Sequence, residues 1–323
     1  MALVRFVRSA LAVLLLFAAG LAAARDSCPP PAPAPGTLSQ QQLQADVRDR
    51  GFLWRLTRDG RTSWLYGTIH VSRPEWLLPG ERVQAALAAS DVLALELDPA
   101  DPELARVFSA PADAARAQRV LAGLGPRIAR VAAHECVPAA ALAALPPLLQ
   151  VSTLGLAETR RDGFHPELAI DVMLWGRARA LGKPVVALET PASQLAALVP
   201  ASEAEEHELL VEGLDEIESG SDRQATLKLL QAWADSDGHA LATYADWCHC
   251  MDTEEERRYL RTLNDGRNGP MAGKLAALAA SGRTFFAAVG SLHMTGPQAL
   301  TELLRARGFA VERVPFPSRR DQP

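Results

Sequence analysis

The sequence predicts an α/β protein of mixed α+β character, in which two β/α halves share one core and a mostly helical insert interrupts them. Two copies of one short pattern, G-x-x-H, support that expectation: Gly67-Thr68-Ile69-His70 and Gly290-Ser291-Leu292-His293. Each follows an apolar, strand-like run, Trp64-Leu65-Tyr66 in the first case and Phe285-Phe286-Ala287-Ala288-Val289 in the second. Each therefore places a His just past a strand end, where open α/β sheets hold their ligands. The stretch between them is dominated by Ala/Leu-rich segments of helical character, broken by the strand-like Val185-Val186-Ala187-Leu188-Glu189.

Residues 1–24 have the layout of a secretory signal peptide. Arg5 and Arg8 precede an apolar run from Ala10 to Leu21, and Ala22-Ala23-Ala24 supplies the small-residue cleavage site, so the mature protein is expected to be periplasmic or secreted. The run is short for a membrane span, and no later segment suggests stable membrane insertion. Residues 25–50 then read as a Pro-rich leader followed by a short polar helix from Leu38 to Arg48. A single folded domain is expected over residues 51–316, with a polar tail at 317–323.

Two strand-like runs, Phe52 to Thr57 and Ser63 to Thr68, flank Asp59-Gly60 and predict a hairpin. A helix from Glu81 to Ala89 leads to a buried strand, Val92 to Leu97, which places Glu96 at a strand end as well. Helices are expected at Ala114–Ala133, at Ala139–Thr159 with a break at Pro146-Pro147, and at Pro166–Leu181. After the strand Val185–Glu189 they resume at Pro191–Leu198 and Ala201–Ile217. In the last of these, Leu209, Leu210, Leu214 and Ile217 form an apolar stripe, while Glu203, Glu205, Glu206, Glu208, Glu212 and Glu216 read as a solvated face. Further helices at Gln224–Ala234, Glu254–Leu263 and Pro270–Ala280 precede the closing strand–helix–strand: Thr284–Val289, Gln298–Arg307 and Ala310–Val314.

The chain carries a formal charge of −5, which becomes −7 once Arg5 and Arg8 leave with the signal peptide. That acidity disfavours nucleic acid and anionic lipid as partners. Four cysteines in an oxidising compartment predict disulfides. Because Cys248 and Cys250 are separated by one residue, each is expected to reach a distant partner, Cys28 or Cys136 in either order. A soft metal site of Cys248, His249 and Cys250 is the weaker alternative, since C-x-C lacks the usual zinc spacing.

The motifs together resemble the TraB/GumN family. The resemblance rests on Leu65-Tyr66-Gly67-Thr68-Ile69-His70, Leu95-Glu96-Leu97-Asp98, Ile170-Asp171, Val185 to Thr190, Arg267-Asn268, and Ala288 to Gly296, and it runs from about Phe52 to Val314. Gly266 and Ala169 depart from the family pattern, standing where relatives often carry an acidic residue and a Gly. The family includes GumN-type proteins, the TraB/PrgY pheromone-shutdown proteins and the animal Tiki proteins, and Tiki relatives are metal-dependent proteases. The resemblance thus implies a divalent metal, manganese or cobalt, although His and carboxylate ligands suit zinc or iron equally. It also implies a peptide or small acyl substrate. The alternatives are a non-enzymatic protein that sequesters a peptide and an accessory protein for exopolysaccharide export.

Two imidazoles and a carboxylate make a plausible shell with an open position for water. His70 and His293 are the expected ligands, with Glu96 as ligand or as general base. Glu189 competes for those roles, or else caps the helix that begins near Pro191. Asp171 lies on a stripe with Leu168, Leu174, Trp175 and Ala178, so it is expected to be buried and to need a partner. Arg267 is the favoured partner, the pair lining the site. Asn268 can donate to a substrate carbonyl or hold a turn.

Overall fold

A computed structural model describes residues 28–33, 37–108, 113–248 and 250–316. The expected signal peptide, His249 and the polar tail lie outside these described residues. A six-stranded mixed sheet forms the centre, built from β1 (Phe52–Arg58), β2 (Arg61–Thr68), β3 (Val92–Leu95), β4 (Val185–Ala187), β5 (Phe285–Gly290) and β6 (Ala310–Val314). Their spatial order is β4-β3-β5-β2-β1-β6. The hairpin expected at Asp59-Gly60 is present, with Phe52 opposite Gly67 and Arg58 opposite Arg61. Both turn residues have positive φ, 50° and 71°, as a two-residue turn matched to strand twist requires.

The two halves are interleaved in the sheet. β5, from the end of the chain, inserts between β2 and β3 and runs parallel to both, and β4 runs parallel to β3. Four parallel strands therefore end along one edge of the sheet. β3 and β5 are buried along nearly their whole length and correspondingly read as continuous apolar runs. β6, at the other edge, pairs among the described residues with β1 alone and exposes Glu312 and Arg313.

Helices pack on the sheet through short apolar stripes. Val83 and Leu87 come from the helix Glu81–Ala88, Leu174 and Ala178 from Ile170–Ala180, Met271 and Leu275 from Asp265–Ala280, and Leu300 and Leu304 from Leu300–Arg305. Each of these side chains other than that of Ala178 contributes about 1.5–3 kcal/mol by leaving water. The insert has a second apolar cluster of its own, in which Leu209, Leu210, Leu214 and Ile217 meet Ile128, Val131, Leu148 and Leu154. Among the described residues no helix is long and apolar enough to cross a membrane.

Several local expectations need correction. The polar helix of the leader is confined to Gln40–Gln44. The stretch Ala114–Ala133 is broken by Gly123 at φ 79° into Ala114–Val120 and Gly125–His134. Glu206 is not solvated: it is fully buried, with Arg116 held against its carboxylate. The disulfides join Cys28 to Cys136 and Cys248 to Cys250, not distant partners for both of the latter. The Cα atoms of Cys248 and Cys250 lie 5.1 Å apart, well inside bonding range, and the thiols of the weaker metal alternative are engaged in that disulfide.

Candidate active site

The parallel strands deliver four side chains to one edge of the sheet: His70 beyond β2, Glu96 beyond β3, Glu189 beyond β4 and His293 in the short helical turn after β5. The β3–β4 pairing continues past both strands through a Glu189 N–H to Glu96 carbonyl bond of 2.9 Å, which sets the two glutamates side by side. An ideal Cβ built on Gly290 would stand 3.4 Å from Glu96 Oε1, 3.5 Å from His70 Nε2 and 3.7 Å from His293 Cδ2. Three groups of the expected constellation thus converge about the one residue that has no side chain. A cleft of about 410 Å³ opens above them, with His70, Glu96, Asp171 and Arg267 on its polar side and Leu97, Pro99, Leu104 and Leu198 on its apolar side.

Arg267 holds the two carboxylates together. Its Nε lies 3.0 and 3.1 Å from the two oxygens of Glu189, and its Nη2 bonds both Glu189 and Glu96. The three side chains are 6–12% exposed, so each charge depends on the others. The expected Asp171–Arg267 pair is therefore replaced: Asp171 Oδ1 stands 3.5 Å from His70 Nδ1. Nor is Asp171 deeply buried, for its side chain keeps 32% exposure on the cleft side of its helix. Arg267 and Asn268 belong to the first turns of the helix Asp265–Ala280, not to a loop. Pro270 sits inside that helix, past its first turn, so the bond that a residue 270 N–H would make to the Gly266 carbonyl is missing there. Glu189 does not cap the next helix, because the Thr190 hydroxyl accepts from Ser193 N–H in that role.

Glu96 is held at both oxygens. Oε1 accepts the Gly290 N–H at 2.8 Å, and Oε2 accepts from Gln194 at 3.1 Å and from Arg267. Burial opposes its charge, but His293, His70, Arg267 and the Gly290 amide outweigh burial and hold its pKa near about 2. Asn268 is fully buried, and its Nδ2 donates to the carbonyls of His293 (3.1 Å) and Gln298 (2.8 Å). That fixes the amide, so Oδ1 accepts from His293 Nδ1–H at 2.7 Å and leaves the Nε2 lone pair facing Glu96, 3.6 Å away. Asn268 thus orients a histidine; it neither donates to substrate nor holds a turn. Burial above all pushes His293 down to about 4, and the nearby Arg267 adds to this against the pull of Glu96. For His70 burial is again opposed, here by the hydrogen bond and charge of Asp171 and by Glu96, which push the ring up to about 9. Its side chain stays 58% accessible, so water screens part of that effect.

The model of the TraB/PrgY/gumN family matches residues 52–313 of the chain. The chain belongs to that family. Neither the curated proteins nor the solved structures compared with it include a match. In this TraB/PrgY/gumN protein, all seven site residues expected from sequence lie at or beside one cleft. Gln194 and the apolar wall escaped notice. Gln194 follows Glu189 by five residues, one turn into the next helix, and that spacing was its only available signal.

Among the described residues no three His, Cys, Asp or Glu side chains stand in a ready-made metal shell. The donor set nonetheless fits a divalent cation in kind. Both histidines turn Nδ1 to an outer oxygen, Asp171 Oδ1 or Asn268 Oδ1; Nε2 of His293 faces Glu96 and Nε2 of His70 lies at the Gly290 position, the arrangement by which outer partners orient imidazole ligands.

Proposed function

We propose that this exported protein hydrolyses a peptide or another acyl-type bond in the His/Glu cleft, with the help of a divalent metal. The convergence of His70 Nε2, Glu96 Oε1 and His293 about Gly290 is the observation that supports this reading. His70 and His293 would hold the cation through Nε2, with Glu96 as the third ligand, and a bound cation would supply a Lewis acid and a water of lowered pKa. Manganese or cobalt follows from the family resemblance, and the same donors accept zinc or iron. A carboxylate whose pKa lies near about 2 is a weak proton acceptor, which favours Glu96 as ligand over Glu96 as base. Glu189, with both oxygens on Arg267, serves to hold that guanidinium beside Glu96. Asn268 keeps His293 in one tautomer, and Asp171 orients His70. Leu97, Pro99, Leu104 and Leu198 give the apolar part of a substrate a seat and exclude water from it.

Elemental analysis of the mature protein after dialysis against each candidate metal tests the reading, alongside cleavage of a peptide library and of activated acyl esters. Near-stoichiometric metal and cleavage are expected in the wild type, both lost in His70→Ala/His293→Ala. A wild type that binds no metal and cleaves nothing would overturn the proposal and leave peptide sequestration as the leading function.

A further inference from the structure

Thr68 ends β2 and pairs in parallel register with Gly290. Register partners on neighbouring strands direct their side chains to the same face of a sheet. The Thr68 side chain therefore emerges beside the place where His70, Glu96 and His293 converge, and Thr68 lines the cleft there. It is 1% exposed, and its Oγ1 has no hydrogen-bond partner among the described residues. The hydroxyl of Ser291, one residue beyond Gly290, gives the contrast, since it donates to the Thr68 carbonyl at 2.8 Å.

A buried hydroxyl without a partner lowers stability, and valine would fill the same space without that cost. Apart from His70, which the acyl-hydrolysis reading assigns to the cation, the donors at the cleft floor are engaged: Arg267 with Glu96 and Glu189, Gln194 and the Gly290 N–H with Glu96. Hydrolysis of an acyl group in the cleft needs a donor where charge develops on the carbonyl oxygen as the carbonyl carbon is attacked.

We infer that the Thr68 hydroxyl donates a hydrogen bond to the carbonyl oxygen of an acyl group bound in the cleft, which makes Thr68 a catalytic residue. The inference rests on the acyl-hydrolysis reading. As water oxygen adds to the carbonyl carbon, the π pair moves onto the carbonyl oxygen, and the Thr68 O–H···O bond strengthens with that charge. When the tetrahedral carbon collapses, the pair returns, the leaving group departs with a proton that came from the water, and Thr68 keeps its own proton throughout.

Thr68→Val and Thr68→Ser test this with two probes, p-nitrophenyl butyrate for hydrolysis and butyrate for binding, the latter followed by the NMR shift of the His70 ring protons. Thr68→Val is expected to lower kcat about 10²-fold with KM little changed. It is also expected to weaken butyrate about tenfold, the loss of one hydrogen bond, and to leave Tm equal or higher. Thr68→Ser should retain most of both functions. Hydrolysis absent in the wild type, with butyrate binding still lost in Val and kept in Ser, would preserve the Thr68 contact while removing the hydrolase reading. Val indistinguishable from wild type with both probes would overturn the inference. So would equal losses in Val and Ser accompanied by a lower Tm, which is the signature of packing alone, and so would a wild type that neither cleaves the ester nor binds butyrate.

Discussion

The two G-x-x-H motifs are near copies in sequence and opposites in physical state. His70 is 58% exposed, faces Asp171 and is pushed up to about 9; His293 is 3% exposed, bonds Asn268 and is pushed down to about 4. In the metal-free protein Asp171 and Glu96 favour the charged form of the first ring, whereas burial favours the neutral form of the second. Their glycines differ too. A Cβ on Gly67 would stand 2.8 Å from Ser291 Oγ and 3.2 Å from its Cα, so Gly67 permits close approach of backbone, while Gly290 leaves space open above the sheet. One motif can thus serve two roles, because neighbours from other elements decide the charge and the room.

What both motifs share is Glu96, and Arg267 ties Glu96 to Glu189. Arg267→Met should therefore have the largest effect. Two carboxylates 12% and 6% exposed would lose the guanidinium that bonds both, and breaking such a buried arrangement costs about 3–5 kcal/mol. Urea unfolding of the variant should show that loss at neutral pH. It should also show partial recovery at low pH, where one glutamate takes a proton. A loss below about 1 kcal/mol, the range of an exposed pair, would mean that the cluster is open to water.

Sequence carried the parts of this arrangement that depend on local pattern. Asp59-Gly60 fixed the hairpin through its positive φ values, and the apolar run Val92–Leu95 announced a strand buried on both faces. Placing His70, Glu96, Glu189 and His293 past strand ends followed from those strands. Partner choice was not legible in the same way. The helical stripe said that Asp171 needs a partner, but whether Arg267 reaches Asp171 or the two glutamates depends on β5 lying between β2 and β3, and no local pattern records strand order. Glu206 shows the same limit. It sits in a run of acids, and only the distant Arg116 explains why that one is buried.

The glycine pair sharpens the comparison with smaller effects. Gly67→Ala must push its new methyl against Ser291 side chain and backbone, and an overpacked site of this kind costs about 1–3 kcal/mol. Gly290→Ala meets its neighbours at 3.4–3.7 Å, ordinary contact distance, and φ at Gly290 is −51°, which any residue adopts. Its stability should stay within about 0.5 kcal/mol of wild type, the range of a tolerated substitution. Yet its methyl occupies the point of convergence, so metal retention after dialysis should fall sharply. Equal Tm losses in the two variants would show that the glycines are interchangeable and that the space above Gly290 has no special use.

The same contrast governs stability against pH in the metal-free protein, where the sign differs between the two histidines. His70 has a folded pKa raised from about 6.5 to about 9, so it binds a proton more tightly when folded. Its contribution is complete below pH 6.5 and is lost as pH rises through 9. His293 is lowered to about 4, so the unfolded chain takes up that proton first. Its contribution is complete above pH 6.5 and is lost as pH falls toward 4. NMR titration of the ring protons should therefore place the two transitions on opposite sides of neutrality. In Asp171→Asn the His70 transition should move down toward 6.5 while that of His293 stays in place, because Asp171 faces only the first ring. Two rings titrating together near 6.5 in the wild type would erase the distinction between the motifs, and an Asp171→Asn variant that shifts both would show that they share one electrostatic environment.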